Sequence, residues 1–313
     1  MVFPNSLELR ASASAAVEKD GAAARRIVAI HSAVPAAISL VLTAMNYYLS
    51  LQISDTGGLD GLGTRSMLET LQTMLQIANM AFTIFWTMSY TGIISRWARG
   101  ESAQNSHLWL GFQHFGPVLR AWMLRFTIYL AVAFLAVQLS SFVFSASPAM
   151  DLYTPMFEKM LTDTSYFPTE AEMEEFTMSY LPFFGVALLI LFVPVAYRLR
   201  LMDFALMEHP TKGAFAALRE SLALTRRNCW KLFKLDLGFW WFYLLEGLVA
   251  CLFYGDWLLE LMGVDLGLSP VILLFVACVT GLLGQILLYI WRKNQVYTTY
   301  ALLYQRLSVK DGE

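Results

Sequence analysis

The chain has 313 residues; 57% are hydrophobic, only 15% are charged, and the mean hydropathy is +0.53. A soluble domain carries about 25% charged residues, so these values exclude a disordered chain or fibrous repeat and argue against a soluble globular enzyme. The net charge of −2 argues against nucleic acid as a partner.

The first 25 residues have no apolar core, so no cleaved leader is expected there. Residues 7–17 read as a short surface helix capped by Asn5 or Ser6. A hydrocarbon layer about 30 Å thick needs roughly 20 apolar residues in a helix. Six stretches meet this and predict spans at 27–51, 68–95, 122–146, 176–197, 237–259 and 268–291. The predicted fold is therefore all-α: a single six-helix transmembrane domain over 1–313, with amphipathic helices on the inner surface.

The first span carries Ser39, Thr43, Asn46 and Ser50 at helical spacing, and a glycine-rich loop, 52–66, follows. The second carries Glu69, Gln72, Gln76, Asn79, Thr83 and Thr87, which fall on one helix face. Residues 106–122 read as an interfacial segment holding His107 and His114, where packing is favoured over metal binding. The third span adds Gln138, Ser141 and Ser145. The loop 151–175 is acidic, and Thr169 with Glu172 forms a capping box that starts a helix at Glu170.

Residues 198–236 read as a cytoplasmic interfacial helical segment. Phe215, Leu218 and Leu222 mark one face of its first helix. Arg226, Arg227, Trp230, Lys231 and Lys234 follow as a basic and aromatic contact for anionic lipid or a partner protein. Glu246 interrupts the fifth span near the bilayer centre, with Gln285 or Asn79 as hydrogen-bonding neighbours and no cation expected nearby. Gly281 and Gly284 in the sixth span predict close helix contact. Cys229, Cys251 and Cys278 have no metal or disulfide spacing.

With the N-terminus inside, the outer segments carry only Arg65 and Lys159 of the 22 Lys and Arg residues. This bias predicts both termini in the cytoplasm.

Tyr197-Arg198-Leu199, Pro210, Ala217-Leu218-Arg219-Glu220-Ser221 and the run from Asn228-Cys229-Trp230-Lys231 through Leu237-Gly238-Phe239-Trp240-Trp241 carry a likeness, as do Tyr297-Thr298-Thr299-Tyr300-Ala301 and Tyr304. Together they resemble a bacterial integral-membrane family catalogued as domain of unknown function 975. The resemblance implies a multi-span topology and supplies no catalytic residues.

Two functional readings follow. The leading one is a non-enzymatic accessory or scaffold that engages lipid or a partner protein through 198–236. The competing one is a small-solute or peptide transporter with an outward-facing polar vestibule formed by Gln72, Gln76, Asn79, Thr83, Asn46, Gln138, Glu246 and Gln285. The partners expected are membrane lipids and, for the scaffold, a membrane protein or export ATPase. No cofactor or metal is expected: the chain lacks a Gly-x-x-x-x-Gly-Lys phosphate loop, a Gly-x-Ser-x-Gly elbow and a His-Glu-x-x-His helix.

Overall fold

The computed structural model describes residues 6–55, 62–163, 165–226, 228–252 and 270–309. Among these the regular structure is helical, with no strand. The chain runs through α1 (Ser6–Glu18), α2 (Gly21–Asp55), α3 (Leu62–Ala98), α4 (Leu110–Gln113), α5 (Phe115–Ser145) and α6 (Thr154–Thr162). It continues through α7 (Glu170–Leu199), α8 (Met202–Glu208), α9 (Gly213–Thr225), α10 (Cys229–Leu237), α11 (Trp240–Leu252), α12 (Pro270–Leu288) and α13 (Asn294–Ser308). Among the described residues five helical stretches are long and apolar enough to cross a membrane; α10 and α11, bent by 67°, make a sixth if taken as one span. The protein is thus a multi-pass membrane protein. Of the fifth expected span, α11 is described as far as Leu252; residues 253–269 lie outside the described set.

The charges segregate along the bundle. Helix α7 has 30 residues, about 45 Å at 1.5 Å per residue, and separates the acidic loop from the basic segment after Leu199. The cationic end is a compact layer of short helices. Leu9 and Ala13 of α1 are buried, and α1 packs on α13, so the expected N-terminal surface helix is a docked one. Gly238, at the α10–α11 bend, leaves room for the Arg10 guanidinium; a Cβ there would lie 1.1 Å from its Nη2. Arg10 sits 4.6 Å from the Phe239 ring centre. Arg99 bridges Glu101 at 2.6 Å and Glu208 at 2.5 Å, joining the end of α3 to α8.

Two sequence expectations are refined. The interfacial segment 106–122 divides into a 3-10 turn at Asn105–Trp109, α4 and the first turns of α5; Pro117 is tolerated there because a first turn needs no backbone N–H from it. Gly111 permits the crossing of α4 over α3: its N–H donates to Ser89 Oγ at 2.8 Å, and a Cβ would lie 2.1 Å from the Phe85 carbonyl oxygen. The packed face of α9 is Ala214, Ala217, Ser221, Leu224 and Thr225, while Phe215 is exposed. Small residues let α9 close on its neighbours, and Ser221 donates to the Arg198 carbonyl at 2.7 Å.

The capping box is formed as read: the Glu172 N–H donates to Thr169 Oγ1 at 3.3 Å, and the Thr169 N–H donates to Glu172 Oε2 at 2.8 Å. Gly284 is also a close-contact position, since a Cβ would meet Val249 of α11 at 3.4 Å.

Candidate functional site

Helices α2, α3 and α12 enclose a cavity of about 310 Å³. Each helix supplies its lining at α-helical spacing: Ser32, Pro35, Ala36 and Ser39 from α2; Thr83, Trp86 and Thr87 from α3; Leu282 and Gln285 from α12. Tyr289 and Lys293 complete it from a π-helical turn, Tyr289–Lys293, that joins α12 to α13. Such turns rephase the side chains that follow and recur at functional sites. Ser39, Thr83 and Thr87 are exposed and form the rim; His31, Ser32 and Lys293 are buried and form the floor.

The floor is built from polar groups that lack ordinary partners. His31 is stacked between two α3 rings one turn apart, 4.2 Å from Tyr90 and 6.0 Å from Trp86. Trp86 Nε1 donates to the His31 backbone carbonyl at 2.9 Å and fixes that crossing. Yet neither His31 ring nitrogen nor Ser32 Oγ makes a well-aligned hydrogen bond, the imidazole lying only near the Trp86 backbone. Lys293 is only 7% exposed. Its ammonium lies 3.8 Å from the Tyr289 ring centre, 5.2 Å from Tyr90 and 5.6 Å from Tyr297. Among the described residues it makes no salt bridge (the six ion pairs all lie elsewhere). Buried polar groups are nearly always satisfied, and a cation–π contact contributes about 0.5–2 kcal/mol without using the N–H donors fully. The site therefore holds spare donor capacity beside open volume.

Glu246 stands behind this floor. Tyr289 donates to Glu246 Oε1 at 2.7 Å, and Gln285 Nε2 donates to the Tyr289 hydroxyl at 3.1 Å. The link from Glu246 to Gln285 thus runs through Tyr289, and Asn79 takes no part in it. The expectation that no cation would be near Glu246 is corrected: Lys293, read as an inner-surface residue, is buried and within electrostatic range of it.

The predicted pathway residues divide. Thr83 and Gln285 line the cavity, and Glu246 is one hydrogen bond away. Gln72, Asn79 and Asn46 are half-buried, and Gln76 is exposed; none lines the cavity. Gln138 is exposed on α5. In the predicted contact set, Arg226, Trp230, Lys231 and Lys234 are all exposed, with Trp230 stacked on Phe233 at 5.1 Å and Lys234 lying 5.8 Å from the Trp230 ring. Arg227 lies outside the described residues.

Two further ionic clusters escaped the sequence reading. Arg125 and Asp203 form a bidentate pair between α5 and α8. Arg200 donates to Asp236 at 2.8 Å and to the Tyr243 hydroxyl at 2.9 Å; Tyr197 donates to the same Asp236 oxygen at 2.6 Å. Arg125 Nε is buried without a hydrogen-bond partner, while its two terminal nitrogens are held by Asp203; in both clusters the ion pair ties two helices together and acts as a structural clamp. Outside the spans, His107 is pushed below the ordinary histidine range by partial burial and by Arg96, and its Nδ1 accepts from the Gln104 N–H at 3.0 Å. Among the described residues no group of three or more His, Cys, Asp or Glu is placed to hold a metal. No family model, curated protein or solved structure matches the chain.

Proposed function

We propose that the protein is a non-enzymatic, solute-binding membrane protein of the transporter class, using the cavity between α2, α3 and α12. The observation that carries this reading is the floor of that cavity. A buried imidazole and a buried serine hydroxyl face open space without a well-aligned hydrogen bond, although unpaired polar burial costs about 1–3 kcal/mol, and beside them a buried lysine ammonium meets only aromatic rings. A structure serving only as a scaffold would gain stability by filling that space with apolar side chains. We place the protein in a bacterial cytoplasmic membrane with both termini cytoplasmic, in keeping with the confinement of all but two Lys and Arg residues to one end and with the resemblance to domain of unknown function 975. The cavity then lies in the inner half of the bilayer. The alternating partner of that site would be an outward opening along the α3 stripe.

A scaffold reading retains one supporting observation, the exposed ridge of Arg226, Trp230, Lys231 and Lys234 on α10 and the turn before it. Its partners would be anionic lipid, a membrane protein or an export ATPase.

Cysteine accessibility separates the two. With Cys229, Cys251 and Cys278 replaced by Ser, Ser39→Cys and Thr83→Cys are labelled in proteoliposomes by a charged methanethiosulfonate. Leu189→Cys, on the exposed face of α7, is the lipid-facing control. Labelling at the rim well above that control supports a hydrated cavity. Rim cysteines as inert as Leu189→Cys would sink the solute reading.

A further inference from the structure

We infer that the cavity selects a small amphiphilic monocarboxylate, with the carboxylate against Lys293 Nζ and the His31 ring. This rests on the solute-binding reading above and adds its ligand class.

Charge sets the class. Among the described residues Lys293 is the only Lys or Arg lining the cavity, so a cationic ligand is repelled and a neutral one leaves the ammonium without a direct ion pair. The three tyrosine rings around Lys293 already occupy the position a ligand cation would take. A dianion such as a phosphomonoester would need a second cation. Among the described residues no second cation lines the cavity: Arg125 is paired with Asp203, and Arg292 is directed away, bonded to Gln295 and lying 5.1 Å from the Trp291 ring, where it lines a separate surface pocket. Glu246 bonds to the Tyr289 hydroxyl and makes no ion pair with the ammonium, so one ammonium at the cavity floor suits a single negative charge.

Donor geometry agrees. An ammonium has three N–H donors and a neutral imidazole one. Both are buried here; the imidazole nitrogens make no well-aligned hydrogen bond, and the ammonium meets only rings. A carboxylate has two oxygens and accepts from both groups at once. The unpartnered Ser32 hydroxyl sits beside them on the floor.

The remaining lining describes the body of the ligand. Pro35, Ala36, Trp86 and Leu282 give an apolar wall, and Ser39, Thr83 and Thr87 give a hydroxylated rim. A volume of 310 Å³ is that of roughly ten water molecules in the liquid, so the ligand has on the order of ten non-hydrogen atoms in the cavity. A carboxylate of this kind could arrive dissolved in water or as the head of a lipid-borne acid whose chain projects past the rim.

The test uses the full chain in phosphatidylcholine nanodiscs and reads the thermal unfolding midpoint against added probe. One arm compares benzoate, benzamide, benzylamine and phenyl phosphate from water. The other compares myristate with myristamide supplied in the bilayer. In at least one arm the carboxylate stabilises at a concentration tenfold or more below its amide, and the arm identifies the source. Lys293→Met removes that difference, and Lys293→Arg keeps it. The wild-type comparison stands by itself if Lys293→Met does not fold. Amides equal to carboxylates in both arms, no carboxylate effect in either, or a preference for phenyl phosphate or benzylamine would overturn the inference. If the rim cysteines are nevertheless labelled, the solute reading survives that loss; if they are inert, both readings fall.

Discussion

At the cationic end, Trp97, Leu206, Leu232, Leu235 and Leu303 are almost wholly enclosed by protein. At the acidic end and along the outer spans, Phe142, Leu161, Phe167 and Met178 are exposed. In the most apolar windows of the helices the contrast is quantitative: half of that window in α3 is buried inside the protein, against 6% in the α7–α8 span. The difference follows from the solvent each region meets. An apolar side chain in lipid gains little by turning inward, because lipid tails are as apolar as the core. Short helices at the interface gain a great deal, since their alternative is water. The acidic end is held instead by one hairpin. Phe144 packs edge-on against Phe176, Tyr180 and Phe183, and the Tyr153 hydroxyl meets Ser179 Oγ at 2.6 Å.

The sharpest way to break this contrast is to remove a large ring from each region. Trp97 is buried in the short-helix layer and donates to Asp20 Oδ2 at 3.1 Å. Trp97→Ala should cost about 3–5 kcal/mol, read by reversible unfolding in mixed micelles. Phe142→Ala, at a site 73% exposed, should stay within about 0.5 kcal/mol. Equal losses would mean that the outer helices are packed against something other than lipid.

A smaller effect sharpens the same point at the boundary of the two regions. Arg125 and Asp203 pair across α5 and α8. Breaking such a pair from one side strands a charge, and Arg125→Met should cost about 3 kcal/mol. The double change Arg125→Met with Asp203→Leu should recover most of it, because apolar replacement of both partners is often neutral. A double variant no better than the single one would show that the arginine acts through packing alone.

Much of the long-helix framework was legible because apolar length is a one-dimensional property: 20 residues without charge are visible in a row. The Thr169–Glu172 cap and the Gly284 contact were legible for the same reason, being local patterns. The cavity floor was not. His31, Tyr90 and Lys293 come from three distant parts of the chain and meet only after helices α2, α3 and α12 choose their rotations. Lys293 looked like one more cation at a span's end. Its burial depends on the π-helical turn at Tyr289–Lys293, which no residue type announces. The available signal was the run Tyr289, Lys293 and Tyr297 at spacings of four, which places a lysine between two rings on one face. Arg200 and Asp236 likewise read as ends of a surface segment until α10 brings them together.

The smallest effect tests how the acidic end is held. Thr169 and Glu172 satisfy each other's backbone at the start of α7, and Tyr166 adds a hydrogen bond to Glu172 at 3.1 Å. Thr169→Ala removes the acceptor for the Glu172 N–H and should cost about 1 kcal/mol. That loss should stay local, because the first turn of α7 is exposed at Glu170, Glu174 and Glu175 and the grip on α5 begins further along, at Phe176 and Tyr180. Hydrogen exchange should therefore quicken over 170–174 while the unfolding midpoint stays near that of the parent. A midpoint lowered as far as in Trp97→Ala would mean that the two ends unfold as one cooperative unit, and the division between a protein-packed end and a lipid-solvated end would then describe burial without describing stability.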